Sequence, residues 1–212
     1  GTDNLFYPSA KAGLPPQDLK WNDTPSKLII GNHKTFREQV TMHRGSPEGS
    51  ATVVGDNNYL MVGSHVGHNC TVGNHIILAN GVMLAGFVEV GDHVFMGGGC
   101  GIHQFGKVGR LAMVSGLCRG RKDIPPFMMA VEEAEVVGLN LVGLRRAGWD
   151  RHQIRPVKEA FRTIYNSQLN IAQAIQHLQP IAENSPEVRE LIQFIENSQR
   201  GVSAKYRGRD RG

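Results

Sequence analysis

Apolar residues recur at every sixth position of this chain. From Val54, a step of six lands on Leu60, Val66, Val72, Leu78, Leu84, Val90, Met96, Ile102, Val108 and Val114, all aliphatic or Met. Upstream, Ile30, Phe36 and Met42 keep the same step, as do Phe6 and Ala12. An amphipathic helix repeats its apolar stripe about every 3.6 residues, so a period of six excludes one. The period fits short flat strands, one per hexad, with tight turns between them and the aliphatic side chain inward. The next position is usually small (Gly55, Gly67, Gly73, Ala79, Ala85, Gly91, Gly97, Gly109, Ser115), which permits the corner and close stacking of successive coils. The pattern predicts a left-handed parallel β-helix of hexapeptide repeats.

With three hexads to a coil, residues eighteen apart stack on one face, about 4.8 Å from each other. Two segments break the step and are expected to leave the prism as loops, residues 14–27 and 44–53. Pro125 and Pro126 are expected to stop strand pairing. Beyond them the pattern turns helical. Asp150 with Gln153 reads as a capping box for a helix over about 151–167. Ser185 before Pro186 starts another toward 198. The fold class is therefore all-β plus α. The prism occupies 1–126, a C-terminal α-helical domain 127–200, and a basic, disordered tail 201–212. Gly1 falls inside a hexad run, so further coils are expected upstream.

At 212 residues the chain is long enough to bury a core without disulfides or metal. Cys70, Cys100 and Cys118 all take the fifth hexad position and read as buried fillers in a reducing compartment. No apolar run approaches the ~18 residues of a membrane span, and a cytoplasmic location is expected. The net charge of +4 mildly favours anionic partners, yet much of it lies in the tail, with Arg200, Lys205, Arg207, Arg209 and Arg211. No aromatic-basic interleaving or zinc-finger spacing points to nucleic acid.

The stretch from Ser64 to His75, SHVGHNCTVGNH, concentrates histidine. His68 takes the third hexad position, where Gly86 and then Gln104 follow at eighteen-residue steps. These three are expected to share one column. His103 occupies the second position, where nine of eleven hexads carry Gly, Ala or Ser. Such a local exception marks a candidate functional position. His33, His75, His93, His152 and His177 read as solvated surface.

Five motifs follow in order: QDLK (Gln17 to Lys20), TMHRG (Thr41 to Gly45), SHVGHNCTVGN (Ser64 to Asn74), GIHQF (Gly101 to Phe105) and GLNLVGLRRAG (Gly138 to Gly148). On a hexapeptide β-helix with a helical tail domain, they resemble the UDP-N-acetylglucosamine 3-O-acyltransferases. That resemblance implies transfer of a 3-hydroxyacyl chain from acyl carrier protein to the sugar 3-hydroxyl, the first step of lipid A synthesis, with no cofactor and no bound metal. It implies a homotrimer with clefts between prisms. A sugar hydroxyl needs a base near neutral pH, and the family's base matches His68. The family's oxyanion donor, a backbone N–H, matches Gly86. Gln17, Asp18 and Lys20 resemble the sugar-contacting group, and His43, His65 and His103 match cleft positions, with Gln104 beside the nucleotide. Asn140 and Arg146 resemble nucleotide or phosphate contacts. Gly116 matches the position that limits acyl-chain depth.

The sequence departs from the family at several places. Asn69 stands where aspartate is frequent. An amide there does not stabilise an imidazolium electrostatically and is able to select the wrong tautomer. Phe87 replaces a histidine, and Val142 and Ala147 replace acidic and basic contacts. Two alternatives stand beside the acyltransferase. One is a non-catalytic or specificity-altered homologue that binds nucleotide. The other is a gamma-type carbonic anhydrase holding metal on His65, His68 and His103, although their spacing suits it poorly.

Overall fold

The computed structural model describes residues 1–206. Short strands, most of two residues, form three parallel faces of eight, six and five strands. In undisturbed coils partners lie eighteen residues apart: Ile77 pairs with Phe95, Met83 with Gly101, Glu89 with Lys107. Both anticipated loops lengthen that register. Lys11 pairs with Thr41 across the first, and Thr41 with His65 across the second. The first inward hexad position forms a dry interior, with Leu60, Val66, Leu78, Leu84 and Met96 fully buried. The three cysteines are buried fillers as expected. Burial pushes the Cys70 and Cys100 thiols up to about 12, and Cys118 to about 11.

The corner geometry differs from expectation. The second-position glycines serve stacking only: a Cβ on Gly97 would lie 2.8 Å from the Ser115 carbonyl carbon one coil away. The left-handed turn falls instead at the fourth position, where Asn57, Asn69, His75, Phe87, His93 and Phe105 all have φ between 56° and 64°. Asn accepts that region more easily than most residues, and coil stacking holds the others in it.

Pro125 and Pro126 do not end the prism. Ile124 bridges Val108, and Met128–Val131 adds a parallel strand before Glu135–Leu139 turns back antiparallel. The proline pair lies at a corner, where no ladder donor is needed. Four helices follow, α1 (Leu141–Arg146), α2 (Arg151–Asn166), α3 (Ile171–Asn184) and α4 (Pro186–Glu196). The Asp150–Gln153 capping box and the Ser185 cap are present. The Asn170–Gln173 box that starts α3 escaped the sequence analysis. Helix and prism share one core, in which Leu111, Phe127, Met128 and Val136 pack with Leu144, Val157, Leu178 and Leu191. Arg110 seals the joint, donating from Nε to Glu190 at 2.7 Å and lying over the Phe127 and Trp149 rings.

Residues 201–206 bind the prism, which corrects the disordered assignment for that part of the tail. Ser203 donates its N–H to Asp123 at 2.8 Å, Val136 to Ala204 at 2.7 Å and Tyr206 to Val136 at 2.9 Å. These bonds satisfy edge groups of the prism that would otherwise lack partners. Arg207, Arg209 and Arg211 lie outside the described residues.

Two glycine substitutions separate stacking from turning. Gly97→Ala is expected to destabilise by about 1–3 kcal/mol, because its Cβ meets backbone. Gly81→Asn, at a left-handed corner where a Cβ would make only van der Waals contact with Gly99 at 4.0 Å, is expected to cost within about 0.5 kcal/mol. Chemical denaturation of both variants checks the contrast.

Candidate active site

The stacking register brings His68, Gly86 and Gln104 into one column at the corner between the six- and five-stranded faces. A Cβ on Gly86 would sit 2.5 Å from Nε2 of His68 and 2.6 Å from Cε1, so only glycine leaves room for the ring. The Gly86 N–H meets no acceptor among the described residues, while its carbonyl accepts from Phe105 at 3.0 Å. Phe87 stands edge-on to the His68 ring at 5.2 Å and stacks on Phe105 at 4.9 Å. Those two rings give the imidazole an apolar wall.

The tautomer of His68 follows from its neighbours. The Ser46 backbone N–H donates at 2.8 Å to one side-chain atom of Asn69. The other side-chain atom of Asn69 lies 3.0 Å from Ser50 Oγ. A backbone donor requires an acceptor, so the atom facing Ser46 is the amide oxygen. Nδ1 of His68 lies 3.0 Å from that same oxygen. Nδ1 therefore carries a proton, so that in the neutral imidazole the lone pair lies on Nε2, the atom beside Gly86. Asn69 thus selects the tautomer a base needs, not the wrong one.

Around this pair the loops converge. Ser46 Oγ donates to Asp18 at 2.6 Å, and the Lys20 N–H donates to Asp18 at 3.0 Å. Together these bonds hold the Asp18 carboxyl below the usual carboxylate range, and the nearby His68 lowers it further. His43 Nδ1 donates to the Pro15 carbonyl at 2.5 Å. His65 Nδ1 lies 2.8 Å from Thr41 Oγ1, and its ring stands 5.2 Å from that of His43. Burial first, then the neighbouring His43 and His68, holds His65 below the ordinary histidine value.

Gln17, His43, His65, His68, Gly86, His103 and Gln104 line one cleft of about 720 Å³. Asp18 and Lys20 do not line it: Asp18 is held by Ser46 on the loop above, and Lys20 is exposed on the same loop. Met83, Arg119 and Arg121 also line it and were missed. Counting eighteens from His65 gives Met83, Gly101 and Arg119, so that signal was present. Arg200, assigned to the tail, donates to the Gln104 carbonyl at 3.0 Å. Ser46 gave no sequence signal, because its role depends on a loop folding over the corner.

Asn140 and Arg146 are not brought to His68. They line a separate cavity of about 510 Å³ with Val142, Ala147, Phe95 and the stacked rings of His75 and His93, 4.6 Å apart. Asn140 is partly committed to the fold, capping α1 through the Gly143 N–H at 3.0 Å and donating to Leu111 O at 2.9 Å. His75 and His93, expected as plain surface, line this cavity too. Gly116 lines neither cavity. It lies at another corner, where a Cβ would meet Gly98 O at 3.2 Å. Among the described residues, no three His, Cys, Asp or Glu side chains gather where a metal ion would need them.

Known proteins share this fold and much of this sequence. Residues 123–203 match the model of the second domain of Udp N-acetylglucosamine O-acyltransferase, and residues 51–86 match bacterial transferase hexapeptide repeats. The chain is 41% identical over 205 residues to an acyl-acyl-carrier-protein:UDP-N-acetylglucosamine O-acyltransferase of Anaeromyxobacter, covering 96% of this chain and 80% of that one. The solved Francisella novicida UDP-N-acetylglucosamine acyltransferase superposes with a TM-score of 0.92 at 30% identity, over 97% of this chain and 76% of that one. The Moraxella catarrhalis UDP-N-acetylglucosamine O-acyltransferase gives 0.89 at 37% identity, over 94% and 78%.

Two measurements follow from the site's electrostatics. Asn69→Asp is expected to move the acidic limb of the pH–rate profile upward by about one unit, since a carboxylate beside the ring favours the imidazolium. Asn69→Leu is expected to lower kcat through loss of the tautomer lock. The second concerns His65, whose value lies below its ordinary 6.5 in the folded state. The unfolded chain therefore binds its proton first as pH falls, and stability is lost below about pH 6.5. In His65→Asn that part of the decline is expected to vanish, as denaturation midpoints at pH 7.5 and 5.5 would register.

Proposed function

We infer this chain's reaction from one premise: it belongs to the UDP-N-acetylglucosamine O-acyltransferase family. It transfers an acyl chain from acyl carrier protein to UDP-N-acetylglucosamine, the first step of lipid A biosynthesis. No described helix is long and apolar enough to cross a membrane, and the soluble donor fits a cytoplasmic reaction.

Within that reaction His68 is the general base. The observation that carries the assignment is Nε2 of His68 set beside Gly86, with Nδ1 3.0 Å from the Asn69 amide oxygen. Nε2 takes the proton of the sugar 3-hydroxyl as its oxygen attacks the thioester carbonyl carbon. The carbonyl oxygen becomes an oxyanion and accepts from the uncommitted Gly86 N–H. As the C–S bond breaks, the thiolate leaves and regains the proton from His68. Asp18 and Gln17 orient the sugar from the loop, and His43, His65 and His103 shape the wall. Lys20, on the same loop, meets the sugar from solvent, and Gln104 flanks the nucleotide. Gly116 sets acyl-chain depth through a surface that a neighbouring prism completes.

One chain leaves the nucleotide side open, because Arg146 and Asn140 line a different cavity from His68. A homotrimer supplies the missing wall by setting one copy's Arg146 cavity against another's cleft. Val142 and Ala147 leave that cavity less polar, and its stacked histidines take over part of the nucleotide's recognition.

Mixing the protein with 3-hydroxyacyl carrier protein and UDP-N-acetylglucosamine is expected to add one hydroxyacyl mass to the nucleotide sugar. His68→Ala is expected to lower kcat by about 10²–10⁴-fold, the usual weight of a positioned base. Nucleotide binding without transfer by the folded wild type would favour the non-catalytic homologue.

A further inference from the structure

We propose that Arg121 binds a substrate phosphate at the end of the cleft away from the Gln17 loop, an inference that rests on the acyl-transfer reading above. The chemical class is a phosphodiester or a diphosphate, and each of the two substrates carries one. Four histidines and two arginines line this cleft, and among the described residues no carboxylate does. Its charge is therefore one-sided, which favours an anionic ligand. Of the two arginines, Arg119 is neutralised by Glu133. Arg121 has no carboxylate within ion-pair distance among the described residues. Arginines that serve the fold behave otherwise: Arg37 holds Glu38, and Arg110 holds Glu190.

The backbone sets Arg121 apart from a solvated surface cation. The six-stranded face runs from Lys11–Leu14 at one edge to Arg119–Gly120 at the other, so Gln17 and Arg121 belong to opposite ends. Ile102 pairs with Gly120, which places Arg121 one coil from His103 in the same column. Arg200 clamps both levels, donating from Nε to the Arg121 carbonyl and from Nη1 to the Gln104 carbonyl, each at 3.0 Å. Nδ1 of His103 shares the Gln104 oxygen at 3.2 Å, and because a carbonyl only accepts, that nitrogen carries a proton. The wall is thus fixed while the Arg121 side chain stays exposed to the cleft. A guanidinium's planar fork meets two phosphate oxygens at once.

Reach limits what the phosphate belongs to. Three strand spacings, about 14 Å, separate the level of Gly67, next to His68, from that of Arg121. A diphosphate one sugar ring from the reacting hydroxyl falls between those levels, within range of a long side chain. The phosphodiester at the end of the carrier's pantetheine arm falls near the level of Arg121 itself.

The test compares Arg121→Gln, at an exposed position, with wild type in the full chain. KM and kcat are measured for UDP-N-acetylglucosamine and for one 3-hydroxyacyl group on carrier protein, on 4′-phosphopantetheine and on pantetheine. The expected result is a rise of at least tenfold in KM for one phosphate-bearing substrate, with the loss carried by KM and not kcat. A rise confined to UDP-N-acetylglucosamine supports the site and assigns it to the nucleotide's diphosphate. A rise with carrier protein and phosphopantetheine but not pantetheine supports it and assigns it to the donor's phosphodiester. Unchanged KM values overturn the proposal, and a variant that also loses its oligomer in sedimentation shows Arg121 to be a contact between copies. An equal loss with every substrate, the pantetheine thioester included, overturns it as general disruption. If wild type transfers to no acceptor, the acyl-transfer reading itself fails, and calorimetry with UDP and with 4′-phosphopantetheine decides the site. At least tenfold tighter binding of one of them by wild type than by the variant supports it, and equal or absent binding overturns it.

Discussion

Backbone hydrogen bonds run from each coil to the next, as from Met83 N–H to Cys100 C=O at 2.9 Å and from Gly67 N–H to Leu84 C=O at 2.8 Å. They are parallel-strand bonds with one register, and a slip by one residue would turn every inward aliphatic side chain outward. The buried column of Leu60, Leu78, Met96 and Val114 makes that slip costly. From this single constraint come the three faces, the vertical columns of side chains and the meeting of His68 with Gly86. The site is a consequence of the register before it is a set of residues.

The corners show how the same geometry serves structure in one column and chemistry in another. At the third hexad position the backbone N–H has no ladder partner. Along one corner it is capped by the residue one coil further on: Asp56 N–H by Asn74 Oδ1 and Asn74 N–H by Asp92 Oδ1, both at 2.7 Å. Along the His68 corner the column holds an imidazole and a glycine, and the Gly86 amide is left without an acceptor. An unspent donor beside an unprotonated ring nitrogen is costly to keep in a fold and useful to a developing oxyanion.

The loops that interrupt the repeat complete this site. Ser46 ties Asn69 through its backbone and Asp18 through its hydroxyl, so the tautomer of His68 and the placement of the Asp18 carboxylate depend on one residue. Outside the cleft, Arg110 of the prism holds Glu190 of α4 and so fastens the helical domain in place.

The period of six, read with its small second residue, determined the β-helix, its core and the column containing His68, Gly86 and Gln104. Both loops and two of the helix caps were equally legible, because each rests on residue type at fixed local spacing. The motifs supplied the rest of the site's membership, including His43 and His65. Only the tertiary structure decided the tautomer of His68, since a loop donor from Ser46 orients the Asn69 amide. It alone placed Arg146 apart from the cleft, returned Gly201 to Tyr206 to the prism edge and moved the corner turn from glycine to the fourth position. Those outcomes depend on contacts between segments far apart in the chain, where no local spacing records which donor meets which acceptor.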